Sequence, residues 1–511
     1  MSAILVAAVL STVHLEADVG SAGGDYVLVP FTVPAGTAEI DVAHSHTNDG
    51  EILDWGVWSP DGYRGWGGGL VDDAVIDVAQ SSRGYLPGAI TPGTWTLVVG
   101  KALLVNGAGH YIVDVTCSDT PTVPVQPTAA YTPVVLNPAR KWYKGDFHVH
   151  SIQSGDAAAT FDEISSLAGS EQLDFLNISD HNTVAQHALL AAYQQNFPNL
   201  LFMRGAEITT YSGHGNAVGL TSYVDHRLGL NGRTVQGILD DVAAQGAIFI
   251  INHPMLNIGT ACLGCYWNHV ADTPWAEVTG MEIITGSYEY GILAFTPQVL
   301  KLWDTLLDEG FRITAIGGSD DHTAGLNDSG YGSPIGHPTT NVLADNLSEA
   351  AIVDAVKHGR TVVQLRSPSD AFVEMTMTAD DGTEAEIGDE VDGVDHIHIT
   401  AHVTAGDGAV IQLFRDGVKV DQATASGTDY TTAFDRAPTG DLERYRIQLI
   451  SADSTTPTVI TSHIFVKGKV PTAAGCDCRT TGGPGSLAGL ALALGLMLVG
   501  KRSLRSLRST R

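Results

Sequence analysis

The stretch Gly145-Asp-Phe-His-Val-His-Ser151 decides how the rest of the chain is read. Two histidines one residue apart on a strand point to the same face, because strand side chains alternate with a period of two. Val149 between them points the other way, into packing. Two imidazoles on one face suit a shared metal ion. The same spacing recurs at His44-Ser-His46 and His396-Ile-His398, which fit half-buried strand surfaces. His148 and His150 are set apart by their company further along the chain.

From residue 145 onward, short apolar runs alternate with helix-like segments. The runs are Asp146–Val149, Leu173–Ile178, Leu200–Ala206, Asn216–Leu220, Ala247–Ile251, Gly280–Ile284 and Ile313–Ile316. Such alternation predicts an α/β fold with a mostly parallel sheet. All but the Gly280–Ile284 run have a metal-capable side chain at or near one end. These are His148 and His150, Asp180-His181, Glu207, His214, His253 and Asp320-Asp-His322. In barrels of parallel strands the active site is assembled at the C-terminal strand ends. Chance would scatter these residue types over helices and loops as well.

At this point the residues resemble a known family. His148-Val-His150-Ser, Ser179-Asp-His181-Asn, Gly205-Ala-Glu207, Gly213-His214, Asn252-His253-Pro and Gly318-Ser-Asp320-Asp-His322 resemble the ordered motifs of the PHP (polymerase and histidinol phosphatase) superfamily. Within it, the wording is most similar to the CehA/McbA-type metallohydrolases, named for carbaryl hydrolysis. The resemblance covers roughly Lys141 to Leu365 and implies a distorted seven-stranded β/α barrel.

The resemblance also implies a ligand set. A first divalent metal would be held by His148, His150, Glu207 and Asp320, with Glu207 bridging to a second bound by His214 and His253. A third position is implied by Asp156, His181 and His322. Asp156 stands eight residues after His148 in Ser154-Gly-Asp156, where the commoner order is Ser-Asp-Gly. Two or three ions of zinc, manganese or iron are therefore expected, with a metal-bridging hydroxide as nucleophile. Asp320 serves that chemistry, and His181 or His322 could instead be the general acid for the leaving group. His187, His226 and His358 read as hydrogen-bonded core histidines, while His337 and Asp321 are expected near the mouth.

Composition bounds the partners. A formal charge of −30 over 511 residues argues against nucleic acid or anionic lipid. A small-molecule ester is the expected substrate. The superfamily resemblance implies phosphomonoester or phosphodiester hydrolysis, and the subfamily resemblance a carbamate, ester or amide bond. Lys144, Arg204, Arg233 and Arg366 could grip a phosphate, although none sits in a motif that demands it. A different class stays open, a surface glycan-binding or adhesion protein whose barrel is only scaffold.

The flanks differ in texture from the centre. Residues 1–12 read either as a signal without a basic region or as a first strand. Residues 13–118 carry short β runs and Gly-rich turns, which predicts a β-sandwich. Its Trp and Asp residues could bind sugar or calcium, or simply pack. Residues 119–140 form a linker, with five prolines between Thr120 and Arg140. The barrel spans 141–366, and 367–470 reads as a second β-sandwich with a hairpin turn at Asp416-Gly417. Cys262-Leu-Gly-Cys265, with His269 beyond, is either an incomplete zinc site or a local disulfide. Tyr266, Trp267 and Trp275 on the same loop could line the pocket or pack it.

Residues 471–511 form a tail. Cys476 and Cys478 precede the apolar Leu487–Val499 and a run ending in five basic residues from Lys501 to Arg511. Thirteen apolar residues make roughly 20 Å of helix, short of the ~30 Å hydrocarbon core. The tail resembles the MYXO-CTERM sorting tag, which implies export and contact with the cell envelope. The protein would then sit at the cell surface or outer membrane, or be secreted after C-terminal processing.

Overall fold

The computed structural model describes residues 8–46, 50–70, 72–326 and 333–469. Its centre is a run of seven strands. They are β1 (Lys141–Val149), β2 (Phe175–Ile178), β3 (Leu201–Thr210), β4 (Gly213–Val218), β5 (Ile248–Ile251), β6 (Gly280–Thr285) and β7 (Thr314–Gly318). They lie side by side in chain order. β1, β2 and β3 are mutually parallel, as are β5, β6 and β7. β4 runs antiparallel to both neighbours, since only Tyr211 and Ser212 separate it from β3 and no helix fits there. The edges of the run meet. Asp320 donates its N–H to the His148 carbonyl at 2.9 Å, and His150 donates to the Asp321 carbonyl at 3.0 Å.

Helices flank these strands, and their starts are legible. Thr160 caps the Phe161–Ser170 helix in a reciprocal box with Glu163. Thr234 caps Val235–Ala244, whose buried Val235, Ile238, Leu239 and Val242 recur at helical spacing. They join a core with Phe249, Met281 and Trp303, each such buried side chain adding about 1.5–3 kcal/mol. Ser348 caps Glu349–Lys357. His358, expected in the core, instead stands exposed just past that helix and bonds the Asp354 carbonyl at 2.8 Å. A residue past the last turn has no layer above it to bury it.

The chain before residue 119 forms two four-stranded antiparallel sheets. One joins Val9–Gly20, Ala108–Ser118, Glu39–His46 and Ala74–Asp77, and the other Tyr26–Val33, Gly93–Leu103, Ile52–Ser59 and Gly62–Gly68. Trp55, Trp95, Ile40 and Val113 fill the shared core. Strand structure begins at Val9, inside the segment read as signal or strand, while residues 1–7 lie outside the described residues. The prolyl linker is tied down: Thr122 donates to Glu39 at 2.6 Å and the Tyr131 ring lies under the Arg204 guanidinium at 3.5 Å.

Beyond β7, β8 (Thr339–Ala344) pairs antiparallel with β1, and β9 (Thr361–Gln364) with β8. β9 then pairs with Val459–Thr461, so one sheet runs from the centre into the C-terminal strands. A second sheet of Phe372–Ala379, Ile397–Thr404, Asp429–Arg436 and Glu384–Glu386 accompanies it, around Val373, Ile399, Leu413 and Ile447. Asp416 and Gly417 turn a hairpin there with φ of 50° and 76°. Among the described residues no helix is long and apolar enough to cross a membrane. Cys476, Cys478 and the Leu487–Val499 run lie outside the described residues.

Candidate metal centre

The seven-stranded run gathers all nine expected ligands at one end. His148 sits on β1 with His150 just after it, Glu207 on β3, and His214 at the start of β4. His253 follows β5, and Asp320 and His322 follow β7. Because β4 is reversed, its beginning lies where the other strands end, so a histidine that opens a strand joins histidines that follow strands. Asp156 comes from the loop after β1 and His181 from the turn after β2.

Glu207 is the hub. Its Oε1 lies 3.5 Å from His148 Nε2, 3.4 Å from His214 Nδ1 and 3.3 Å from His253 Nε2. Its Oε2 lies 3.6 Å from His150 Nε2 and 2.7 Å from His181 Nδ1. Asp320 Oδ1 stands 3.1 Å from His148 Nε2 and 3.2 Å from His150 Nε2. On the outer side, Asp156 Oδ2 faces His181 Nε2 at 3.3 Å and His322 Nε2 at 3.4 Å. Asp156 is the most exposed of the nine, its side chain 59% accessible, whereas His148, His150 and Glu207 have none.

Five of the six imidazoles are aimed by the other nitrogen. His148 Nδ1 meets Glu282 Oε1 at 2.8 Å, and His150 Nδ1 meets Ser154 Oγ at 3.3 Å. His214 Nε2 meets the Leu263 carbonyl at 3.1 Å and His253 Nδ1 the Cys265 carbonyl at 3.2 Å. His322 Nδ1 meets the Asp320 carbonyl at 2.9 Å. Anchoring one ring nitrogen to an acceptor fixes the tautomer and leaves the other nitrogen's lone pair for a metal.

Several of the atoms that converge there have no hydrogen-bond partner among the described residues. His148 Nε2, His150 Nε2, Glu207 Oε2 and Asp320 Oδ1 are all buried and unbonded. A buried unsatisfied polar atom costs about 1–3 kcal/mol, so four converging on one point need a cation. Ligand atoms at about 2.1 Å from one ion lie roughly 3.4 Å apart in a tetrahedron, which matches the spacings above. The donor set, imidazole with a two-oxygen carboxylate between sites, fits zinc, manganese or iron. Groups of His148, Glu207 and His253, of His148, His150 and Asp320, and of His150, His181 and His322 are each close enough to hold an ion.

Electrostatics and strain both mark the site. Burial alone would raise the Glu207 carboxyl, but His148, His181 and His214 hold it well below the usual carboxylate range. Burial would lower His148, yet Asp320, Glu282 and Glu207 raise it well above the ordinary histidine value. His150, buried beside His322 and His181, is pushed down to about 3. His253 and Asp320 hold φ of 30° and 57°, a left-handed backbone that costs a non-glycine residue of order 1–3 kcal/mol.

Glu282 escaped the sequence reading. It lies inside the one run with no metal-capable end, and a carboxylate within Gly280–Thr285 was the available signal. Gly318 makes room for it, since a Cβ there would meet Glu282 Oε1 at 2.4 Å and the His148 Cβ at 2.5 Å.

The centre opens into a cavity of about 930 Å³. Asp321 lines it and accepts N–H groups of Thr323 and Gly325, both at 2.7 Å. His337, expected at the mouth, is turned away to Glu171 at 3.3 Å, and Tyr266, Trp267 and Trp275 are not among the lining residues. Trp267 and Trp275 are buried in the core. Cys262 and Cys265 form a disulfide. Cys265 Sγ lies 3.9 Å from His214 Nδ1, while His269 bonds Ser212 Oγ at 2.7 Å. His187 bonds the Gly205 carbonyl at 3.0 Å and His226 the Tyr223 hydroxyl at 3.0 Å.

None of the four cations proposed for phosphate reaches the cavity. Arg204 pairs with Glu349 at 2.7 Å, Arg233 with Asp241 at 2.7 Å and Arg366 with Asp370 at 2.8 Å. Lys144 Nζ bonds the Pro368 carbonyl at 2.6 Å. No lysine or arginine is among the described residues that line the cavity. The N-terminal sheets supply part of the wall instead, through Tyr26, Asp54 and Trp66, in a region whose Trp and Asp residues the sequence reading left between sugar or calcium binding and packing.

No family model matches the chain, and no curated protein matches it. Solved structures similar to it include a two-domain protein from Bacteroides vulgatus ATCC 8482 that contains a predicted PHP-like metal-dependent phosphoesterase. It is 19% identical, covers 66% of this chain and 99% of its own, and has a TM-score of 0.36. A candidate metal-dependent phosphoesterase from Bifidobacterium adolescentis ATCC 15703 is 14% identical over 35% of this chain and 87% of its own, with a TM-score of 0.26. A periplasmic inhibitor of g-type lysozyme from Salmonella Typhimurium is 19% identical over 21% and 90%, with a TM-score of 0.13. Likenesses this distant assign no activity.

Proposed function

We propose that the chain is a metal-dependent hydrolase of the PHP type, with the CehA/McbA wording of its motifs as the finer assignment and a phosphomonoester or phosphodiester as the first substrate reading. The observation that carries it is the aim of His148, His150, His214, His253 and His322. Each is anchored on one nitrogen and presents the other to Glu207, Asp320 or Asp156. Nothing in plain packing calls for that arrangement.

A divalent ion held there supplies a hydrolytic nucleophile at neutral pH, because it lowers the pKa of water to about 7. The protein's own part is positioning and proton transfer. Glu207 presents one oxygen to each side of the centre. His181 and His322 line the cavity, and either can pass a proton to the leaving oxygen while Asp156 beside both stabilises the charged ring.

A second reading has its own support. A cavity without lysine or arginine among its described residues suits a neutral carbamate, carboxyl ester or amide as well as a phosphate held by metals alone. Metal analysis of the soluble chain, paired with hydrolysis of p-nitrophenyl phosphate, bis-p-nitrophenyl phosphate and a naphthyl carbamate, separates the two. Absence of stoichiometric metal overturns both. We further place the protein outside the cytoplasm, held to the envelope through residues 471–511. Fractionation of cells and mass spectrometry of the mature C-terminus test this.

A further inference from the structure

One end of the cavity is built from side chains that no ligand set explains. Asp54 stands on the Ile52–Ser59 strand, Trp66 on Gly62–Gly68, and Tyr26 opens Tyr26–Val33. Tyr211, in the turn between β3 and β4, comes from the other side. The Tyr26 and Tyr211 rings stack at 5.6 Å with 26° between planes, and Tyr26 meets the Trp66 edge at 6.3 Å. The Tyr211 hydroxyl donates to Asp54 Oδ2 at 2.7 Å. Gly100 is what lets them meet, since a Cβ there would lie 2.1 Å from the Tyr211 oxygen.

The charge of this end is mainly negative, Asp156 adding to Asp54 and His181 opposing it. Half-buried Asp54 has a tyrosine for its hydrogen-bond partner, and the described residues of the wall around it include no lysine or arginine. A second anion would be repelled here, and a purely apolar group would leave the carboxylate uncompensated. A carboxylate ringed by aromatic rings favours an ammonium, through the counter-charge and through the negative ring faces together.

We propose that this end of the cavity is a subsite for a cationic head group, an amine or quaternary ammonium, with Asp54 as counter-charge and Tyr26, Trp66 and Tyr211 as its aromatic walls. That the group belongs to a substrate rests on the hydrolase reading. The substrate is then dipolar, its ester at the metal centre and its cation at Asp54. Desolvation pushes the Asp54 carboxyl up to about 6, which leaves it ionised at neutral pH.

The test uses matched esters on the full chain. p-Nitrophenyl phosphorylcholine is compared with p-nitrophenyl 3,3-dimethylbutyl phosphate, whose head group is neutral, and acetylthiocholine with 3,3-dimethylbutyl thioacetate. The cationic member is expected to be favoured about tenfold in kcat/KM, and Asp54→Asn, which keeps an acceptor for Tyr211, to bring the ratio close to one. Choline binding by calorimetry reads the subsite without turnover. Turnover with no preference, or preference unchanged in Asp54→Asn, overturns the subsite and leaves the hydrolase. Choline binding that needs Asp54, with no ester cleaved, supports the subsite and overturns the esterase readings. Absence of both choline binding and discrimination overturns the subsite.

Discussion

Glu282 Oε1 lies 2.8 Å from His148 Nδ1, with both side chains buried, while Glu282 Oε2 accepts the His253 N–H at 2.9 Å. One carboxylate therefore orients two ligands that both meet Glu207 Oε1, without facing the hub itself.

Replacing it should weaken the metal without removing a ligand. Glu282→Gln is expected to lower metal affinity about 10–100-fold, read by chelator competition. Glu282→Ala should lose more, because Nδ1 then has no acceptor. Unchanged affinity in both variants would show that His148 is oriented by packing alone.

Removing the hub should do something different in kind. Glu207→Gln is expected to lose metal stoichiometry and hydrolysis together, since His148, His150, His214 and His253 all meet at that carboxylate. Chelation of the wild-type chain should also lower its melting temperature, because an ion present at a thousand times its Kd stabilises by about 4 kcal/mol. A melting curve indifferent to chelator would count against a resident metal.

The Asp156 loop leans on the N-terminal sheets. A Cβ on Gly155 would lie 2.2 Å from the Gly67 carbonyl, Gly84 donates to Gln153 at 3.1 Å, and Tyr63 donates to the Asn182 carbonyl at 2.7 Å. Gly155→Ala is therefore expected to displace Asp156 and reduce bound metal by about one ion per chain where three are bound. Full stoichiometry in that variant would separate the loop from the third position.

Acid should destabilise the N-terminal sheets through His44. It is stacked on Trp55 at 4.4 Å, and desolvation lowers it to about 4. The unfolded chain, near 6.5, binds the proton first, so stability is complete above that pH. It falls as the pH drops from 6.5 towards 4, by at most about 3 kcal/mol. Urea midpoints across this window should flatten in His44→Phe, and an equal slope in the variant would assign the effect elsewhere.

Much of the metal centre is legible because its residues break apolar runs at their ends, where a polar side chain has no packing reason to be. His214 was readable for that reason even though the reversal of β4 was not. Glu282 was hidden because it interrupts a run in the middle, where a buried carboxylate gains meaning only once Gly318 and His148 lie beside it. Asp54, Trp66 and Tyr26 were beyond local reading, because the sheets that carry them meet the cavity across more than eighty residues of chain. Arg204 misled for the same reason, its partner Glu349 being set by folding, whereas Asp241 and Asp370 stand close in sequence to Arg233 and Arg366.

The sheet that passes from β8 through β9 into Val459–Thr461 also sets how the molecule can be cut. A fragment ended after Arg366, where composition changes, would carry Thr361–Gln364 as a bare border of unpaired N–H and C=O groups. Such a border templates another strand, so the excised centre would gather into aggregates. The unit worth purifying is the whole of residues 8–469.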